Sequence, residues 1–209
     1  MTARTHKEFA ISFIYLATFY IYNTALIDIN YYILLVIMLC VGAKGALFPD
    51  VDHSWNNVKE KTLFNRIING IIHITGGKHR SWQTHSLDLC IVTFILLMTV
   101  NRYLFSIDKL SELNYSVLEM LILAFYSGWV SHLISDMFTV GGVYLLFLWL
   151  KKIRLVPRRI GKLEFKTGGD WEIWFYTVNN RLNYLLSFIA LLYPVFTNKG
   201  LQALVNNWI

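Results

Sequence analysis

The chain has 209 residues, 56% hydrophobic and only 15% charged, against roughly a quarter charged in a soluble domain. That balance excludes a water-soluble globular fold. The apolar residues come in blocks long enough to cross about 30 Å of hydrocarbon as helices, not in the alternating segments of a β-barrel, and the formal charge of +6 sits mostly between those blocks, so it reads as a topology signal and no nucleic-acid partner is expected.

Met1 to Lys7 and the apolar run after them have the charge layout of a signal peptide, but no A-x-A-like cleavage site follows. The segment from about Glu8 to Ile27 is therefore expected to stay as a first span. Asp28-Ile29-Asn30 makes a short turn to a second span, Tyr31 to about Phe48, antiparallel to the first. Gly42 and Gly45, beside Ala43 and Ala46, put small residues near its end, where another backbone can approach closely. There the apolar run stops in Pro49-Asp50-Val51-Asp52-His53: two carboxylates and an imidazole just past a proline that helices rarely continue through.

From Asp50 to Thr84 the chain is polar and basic, yet Leu63, Ile67, Ile68, Ile71 and Ile72 recur at helical spacing, the pattern of an amphipathic helix lying on the membrane interface. Gly76-Gly77-Lys78 lacks the rest of a phosphate loop. Further spans are expected at about Ser86 to Phe105, Ser116 to Phe138 and Ile173 to Phe196. Val143 to Leu150 is too short to cross and is expected as a re-entrant or interfacial segment, followed by the most basic stretch of the chain, Lys151 to Lys166. Cys40 and Cys90 both fall inside spans, which argues against a disulfide. The expected fold is all-α: one membrane-embedded, polytopic helical bundle over residues 1–209, with about five spans, an interfacial helix and a re-entrant segment. With the N-terminus in the cytoplasm, the basic loops all fall on the inner side of the cell's inner membrane.

Traced through this topology, the polar residues meet on that side. His6 precedes the first span; Asp50, Asp52 and His53 follow the second; His79, Arg80 and His85 precede the third; His132 and Asp136 end the fourth; Glu172 begins the fifth. His132 and Asp136, four apart, share a helical face, and ionisable residues inside a span are costly enough to carry a functional presumption, with His–Asp glue between helices as the structural alternative. Carboxylates and imidazoles without cysteine suit a divalent ion, zinc first with manganese or iron as alternatives, and paired ions would clamp both oxygens of a phosphoester displacement. Arg80 could hold a phosphate by its planar fork or serve as a snorkelling topology residue. Asp88, one turn beyond His85, is placed to accept that ring's free N–H. Glu172 is either a further ligand or general base, or an ordinary helix-start carboxylate.

Gly45 to His53, then His79-Arg80-Ser81-Trp82-Gln83-Thr84-His85-Ser86, then Ser131 to Asp136, with Thr5-His6 and Thr139 to Leu146, resemble the bacterial family of inner-membrane metal-dependent hydrolases described as LexA-binding and SOS-linked. The resemblance implies a metal-dependent membrane hydrolase with His6, Asp50, His85, His132 and Asp136 as its best-matched ligands. More distantly, the order His, Pro-Asp, His, His-x-x-x-Asp is similar to the metal ligands of zinc-dependent phospholipase C and the S1/P1 nucleases, which favours phosphoester substrates. Ser81 and the additional Gln83 depart from the family pattern.

The full expected metal set is His6, Asp50, Asp52, His53, His85, His132 and Asp136, for one ion or more, with His79, Arg80 and Glu172 as catalytic candidates; for Asp52 and His53 the alternatives are to orient Asp50 or His85, or to face water. The expected reaction is hydrolysis of a phosphoester, of a phospholipid or lipid-linked phosphate, with membrane lipid as the partner drawn by the basic stretch after Leu150. The oligomeric state is left open. An alternative is a metal-ion transporter or sensor using the same residues, which a continuous polar path would support; a third is an assembly partner whose basic loops dock other macromolecules.

Overall fold

Asn30 opens the second helix as its N-cap: its side-chain oxygen accepts from the amides of Tyr32 (2.9 Å) and Ile33 (3.4 Å), satisfying donors that the helix itself leaves unmet. A computed structural model describes residues 2–24, 30–52, 62–77, 82–139, 142–144, 152–154, 159–160, 163–164 and 168–196. Its helices are α1 (Ala3–Thr24), α2 (Tyr31–Leu47), α3 (Leu63–Ile74), α4 (Trp82–His85), α5 (Leu87–Ser106), α6 (Glu112–Met137) and α7 (Asp170–Phe196). A 3₁₀ turn, Pro49–Asp52, follows α2.

The five expected spans are all helices, and three, α2 with its following turn, α5 and α6, are long and apolar enough to cross a membrane. Helices α1 and α7, with 22 and 27 residues, have the length but carry a polar seam between them. Along it Ser12 Oγ donates to Asn183 Oδ1 (2.6 Å), Asn183 Nδ2 to Glu8 Oε2 (2.8 Å), and the Tyr15 and Ser187 hydroxyls pair at 2.8 Å. Outward-facing Ile95, Leu96, Phe188 and Leu191 present the apolar exterior expected where lipid is the solvent.

The centre of the bundle is the α2–α6 contact, with α1 packed on both, α5 beyond α6 and α7 beyond α1. Small residues make that contact possible. A Cβ on Gly45 would fall 1.9 Å from the Phe125 carbonyl oxygen, and one on Gly128 would fall 1.9 Å from that of Gly42, so the two backbones touch where a side chain would part them. Ile14, Met38, Met120 and Ala124 fill one side of the contact, and Cys90, Tyr126, Trp129 and Leu133 the other.

Two expectations are refined. Helix α1 begins at Ala3, so His6 lies within it and not ahead of it; the polar Thr5 and His6 are buried against neighbouring helices, which extends the helix past the apolar run. The segment at Val143 opens as a strand: β1 (Val143–Tyr144) pairs antiparallel with β2 (Lys152–Ile153), while residues 145–150 lie outside those described. Gly142, at φ +58°, turns the chain there, and a parallel bridge from Tyr144 to Ser86 fastens β1 beside the start of α5. A second short ladder joins β3 (Arg159–Ile160) to β4 (Leu163–Glu164) within the basic stretch.

Candidate metal centre

Five helix ends converge at one end of the bundle: the starts of α1, α5 and α7 and the finishes of α2 and α6. Helix α6 contributes His132 and Asp136 one turn apart on one face, α1 contributes His6, the turn after α2 contributes Asp50 and Asp52, and α4 contributes His85. Proline at position 49 ends α2 and starts the tight turn that holds both carboxylates, with the Val51 amide donating to the Phe48 carbonyl (3.0 Å). Trp129 Nε1 donates to the Thr84 carbonyl (3.0 Å), which pins α4 to α6 and sets His85 in place.

The hydrogen bonds place a proton on Nδ1 of all three imidazoles. His132 Nδ1 lies 2.7 Å from the Ala46 carbonyl oxygen, an acceptor only, so Nδ1 carries a proton and the neutral ring has its lone pair on Nε2. Ser135 Oγ donates its own proton to the His132 carbonyl (2.8 Å) and so accepts from His6 Nδ1 at 2.5 Å. His85 Nδ1 lies 3.2 Å from Asp52 Oδ2, which also takes the Thr84 hydroxyl proton at 2.6 Å. Each ring therefore turns Nε2 inward and, when neutral, offers its lone pair there, the arrangement in which the outer nitrogen is held by a backbone or side-chain acceptor and the inner one ligates.

Those inner nitrogens meet carboxylate oxygens at distances that hydrogen bonds do not favour. His6 Nε2 is 3.5 Å from Asp136 Oδ1, while His85 Nε2 and His132 Nε2 are 3.6 and 3.7 Å from Asp136 Oδ2, and His132 Nε2 is 3.8 Å from Asp50 Oδ1. An N–H···O contact of that length is too long. Two donors each about 2.0–2.2 Å from one ion at tetrahedral angles stand roughly 3.3–3.6 Å apart, close to what is seen. Among the described residues two groups each offer one ligand atom per residue with those atoms within 4.8 Å of one another, His6–His132–Asp136 and Asp50–His85–His132, sharing His132. His132 Nε2 is buried with no hydrogen-bond partner among the described residues, and such an atom is costly unless something is meant to meet it. An ionised Asp136, wholly out of water, is likewise stable only beside positive charge. The donor set fits a divalent cation.

The structure thus brings together His6, Asp50, His85, His132 and Asp136. Asp52 stands behind His85, at the Nδ1 edge, in the role the sequence suggests for Asp88; Asp88 Oδ1 instead accepts from the Leu89 amide (2.9 Å). Glu172 lies outside both groups. It accepts from the Thr2 and Gly168 amides, the latter at 2.6 Å, and ties the start of α1 to the start of α7. Burial pushes its carboxyl up, but hydrogen bonds from Thr5, Gly168 and Thr2 outweigh this and hold it below the usual glutamate range. His53, His79 and Arg80 lie outside the described residues. Thr84 and Ser135, each one residue before a ligand candidate, are supports that sequence reasoning passed over; only their adjacency to His85 and Asp136 signalled them.

A family model described as YdjM inner membrane protein matches residues 1–203 of the chain. The chain is also similar to the uncharacterized protein YvsG of Bacillus subtilis (strain 168), with 30% identity over 138 residues, 66% of this chain and 69% of that protein. No solved structure matches.

Proposed function

The chain belongs to the YdjM inner membrane protein family, and from that premise we propose that its His/Asp centre holds a divalent cation and hydrolyses a phosphoester at the cytoplasmic surface of the inner membrane. One observation carries this reading: three imidazoles, each held at Nδ1, aim Nε2 at the oxygens of Asp136 and Asp50 with the spacing of ligands around an ion.

His6, His85, His132, Asp136 and Asp50 would hold the cation, and their chemistry suits zinc, manganese or iron. Asp136 turns Oδ1 to His6 and Oδ2 to His85 and His132, so it can serve one ion or lie between two. A divalent ion bound there polarises a phosphoryl oxygen and acidifies water. In the reaction the oxygen of water joins phosphorus, the P–O bond to the alcohol breaks, and one water proton ends on the departing alcohol. Asp52 keeps His85 in the ligating tautomer, and Asp50, partly exposed, stands on the side from which substrate arrives. Arg80, five positions before His85, is the proposed phosphate clamp, with His79 beside it. The distant likeness of the ligand order to that of zinc-dependent phospholipase C favours a phosphoester. With five spans and a cytoplasmic N-terminus, the basic loops would fall on the side of the centre.

The test is metal analysis of purified wild type beside Asp50→Ala and His132→Ala, followed by assay of metal-loaded wild type on phosphodiesters, phosphomonoesters and phospholipids. Stoichiometric metal lost in both variants and turnover of one substrate class are expected. A loaded wild type that leaves every phosphoester intact would overturn the hydrolase. A transporter or sensor is the second reading, favoured by the polar seam of Ser12, Glu8, Asn183, Tyr15 and Ser187 between α1 and α7. Those groups bond to one another, which suits helix association more than passage of an ion.

A further inference from the structure

Helix α3 is a short helix with two unlike sides. Its inner side is fixed, since Asn69 Nδ2 donates to the Val51 carbonyl in the Pro49–Asp52 turn and Ile72 is buried. On the outer side Leu63, Ile67, Ile71 and Ile74 follow one another at helical spacing and are 54–87% exposed, with exposed Arg66 and His73 on the adjoining strip. A helix of 12 residues is about 18 Å long and cannot cross a bilayer. It is fastened to the turn that ends α2, a span-length apolar helix, and so sits at a membrane boundary. The apolar phase that meets the outward side chains of α5 and α7 is continuous with the one that its ridge needs, and Arg66 is positioned for headgroup phosphates.

The turn under α3 also carries Asp50, whose side chain is 27% exposed, whereas the histidines and Asp136 of the centre are fully buried. The exposed edge of the centre and the helix with the uncovered apolar ridge are therefore neighbours on one side of the bundle. We propose that α3 docks in the headgroup–acyl boundary, and that a membrane lipid carrying a phosphoester reaches the His/Asp centre from the bilayer along α3 and past Asp50. The docking stands by itself; the substrate class rests on the hydrolase reading. In this arrangement the lipid's phosphate meets the ligands while its acyl chains stay with the ridge, and no extraction of the lipid into water is needed.

The experiment uses full-length protein in nanodiscs of phosphatidylethanolamine and phosphatidylglycerol, in a Cys40→Ser background. An environment-sensitive fluorophore is placed at Ile71→Cys or at His73→Cys. The Ile71 label is expected to be quenched about threefold more by acyl-chain spin-labelled lipid than the His73 label, since it lies on the buried edge of an interfacial helix. Equal quenching of both by a water-soluble reagent, with none from the lipid, would overturn docking. In the second arm Ile67→Glu/Ile71→Glu is expected to lose at least about tenfold in hydrolysis of bilayer phospholipid, because charge on the apolar face opposes insertion, while metal content and hydrolysis of the soluble bis(p-nitrophenyl) phosphate stay at wild-type levels. Equal losses on both substrates, or none on the lipid, would overturn delivery along α3. A wild type inert on both sinks the hydrolase and with it the delivery role, and the labels still decide docking.

Discussion

His132 donates through Nδ1 to the carbonyl of Ala46 at 2.7 Å, so the residue that both donor groups share is fastened to the last turn of the neighbouring helix. The same stretch of α2 and α6 is where Gly45 and Gly128 let the backbones touch. Packing and chemistry are coupled there: separating α2 from α6 moves His132 and Asp136 away from Asp50.

Gly128→Ala tests that coupling. The added Cβ would meet the Gly42 carbonyl, an unyielding backbone atom, at 1.9 Å. The substitution is expected to lower stability by about 1–3 kcal/mol, the usual range for overpacking, and to weaken metal binding although no ligand is changed. Thermal unfolding and metal content of the purified variant measure the two effects. An unaltered melt would mean that the helices are not in backbone contact.

Asp52→Asn separates a ligand from a support. The amide keeps the size of the carboxylate but no longer anchors the His85 Nδ1 proton with a charge. Metal affinity is expected to fall about 10–100-fold with the stoichiometry retained at saturation, as for other partners behind a ligating histidine. Competition titration with a chelator reads this. Complete loss of one equivalent at saturating metal would instead make Asp52 a ligand.

Much of this arrangement was legible in the residues. Apolar blocks ending in His and Asp, read with the charge of the loops, brought the polar groups to one end, and the four-residue spacing of His132 and Asp136 put them on one face. Which of Asp52 and Asp88 orients His85 was not legible. Both lie near a helix end within reach of His85 in sequence terms, and only the fold of the Pro49–Asp52 turn brings one of them onto the ring. Helix α1 reached further than its hydropathy implied because the burial of Thr5 and His6 is tertiary, set by α6 and α7 and invisible in a local window. The strand at Val143 depends on Lys152–Ile153 and Ser86, partners that an apolar stretch does not announce.

Glu172 gives a pH-dependent prediction. Its folded-state carboxyl lies below the ordinary value, so its contribution to stability is fully present above the unfolded value of 4.5 and is lost as pH falls through the folded one. Glu172→Gln should therefore melt below wild type at pH 7, and the gap should close as the pH is taken from 4.5 downward. A gap that does not change with pH would show that the charge is not what ties Thr2 and Gly168 together. If Glu172 supports α1 and does not move protons, the variant keeps the wild-type pH profile of turnover.

The polar seam between α1 and α7 yields the last prediction. Asn183 accepts from Ser12 and donates to the Glu8 backbone (2.9 Å) and side chain (2.8 Å), so one amide serves three groups on the opposing helix. Asn183→Leu removes all three bonds and leaves the Ser12 hydroxyl and the Glu8 carboxylate without that partner. Hydrogen bonds between helices in a membrane average about 0.6 kcal/mol and reach roughly 1.7, because the separated helices also find partners; a loss within that range is expected for the variant, read from unfolding in mild detergent. His6 lies on α1 but is held by Ser135 of α6, so metal stoichiometry should survive the change. Were the seam instead a route for the ion, Asn183→Leu would abolish metal flux into proteoliposomes at little cost in stability. The direct side-chain bonding along the seam argues for the first outcome, since groups that already satisfy one another have little left to offer a passing cation.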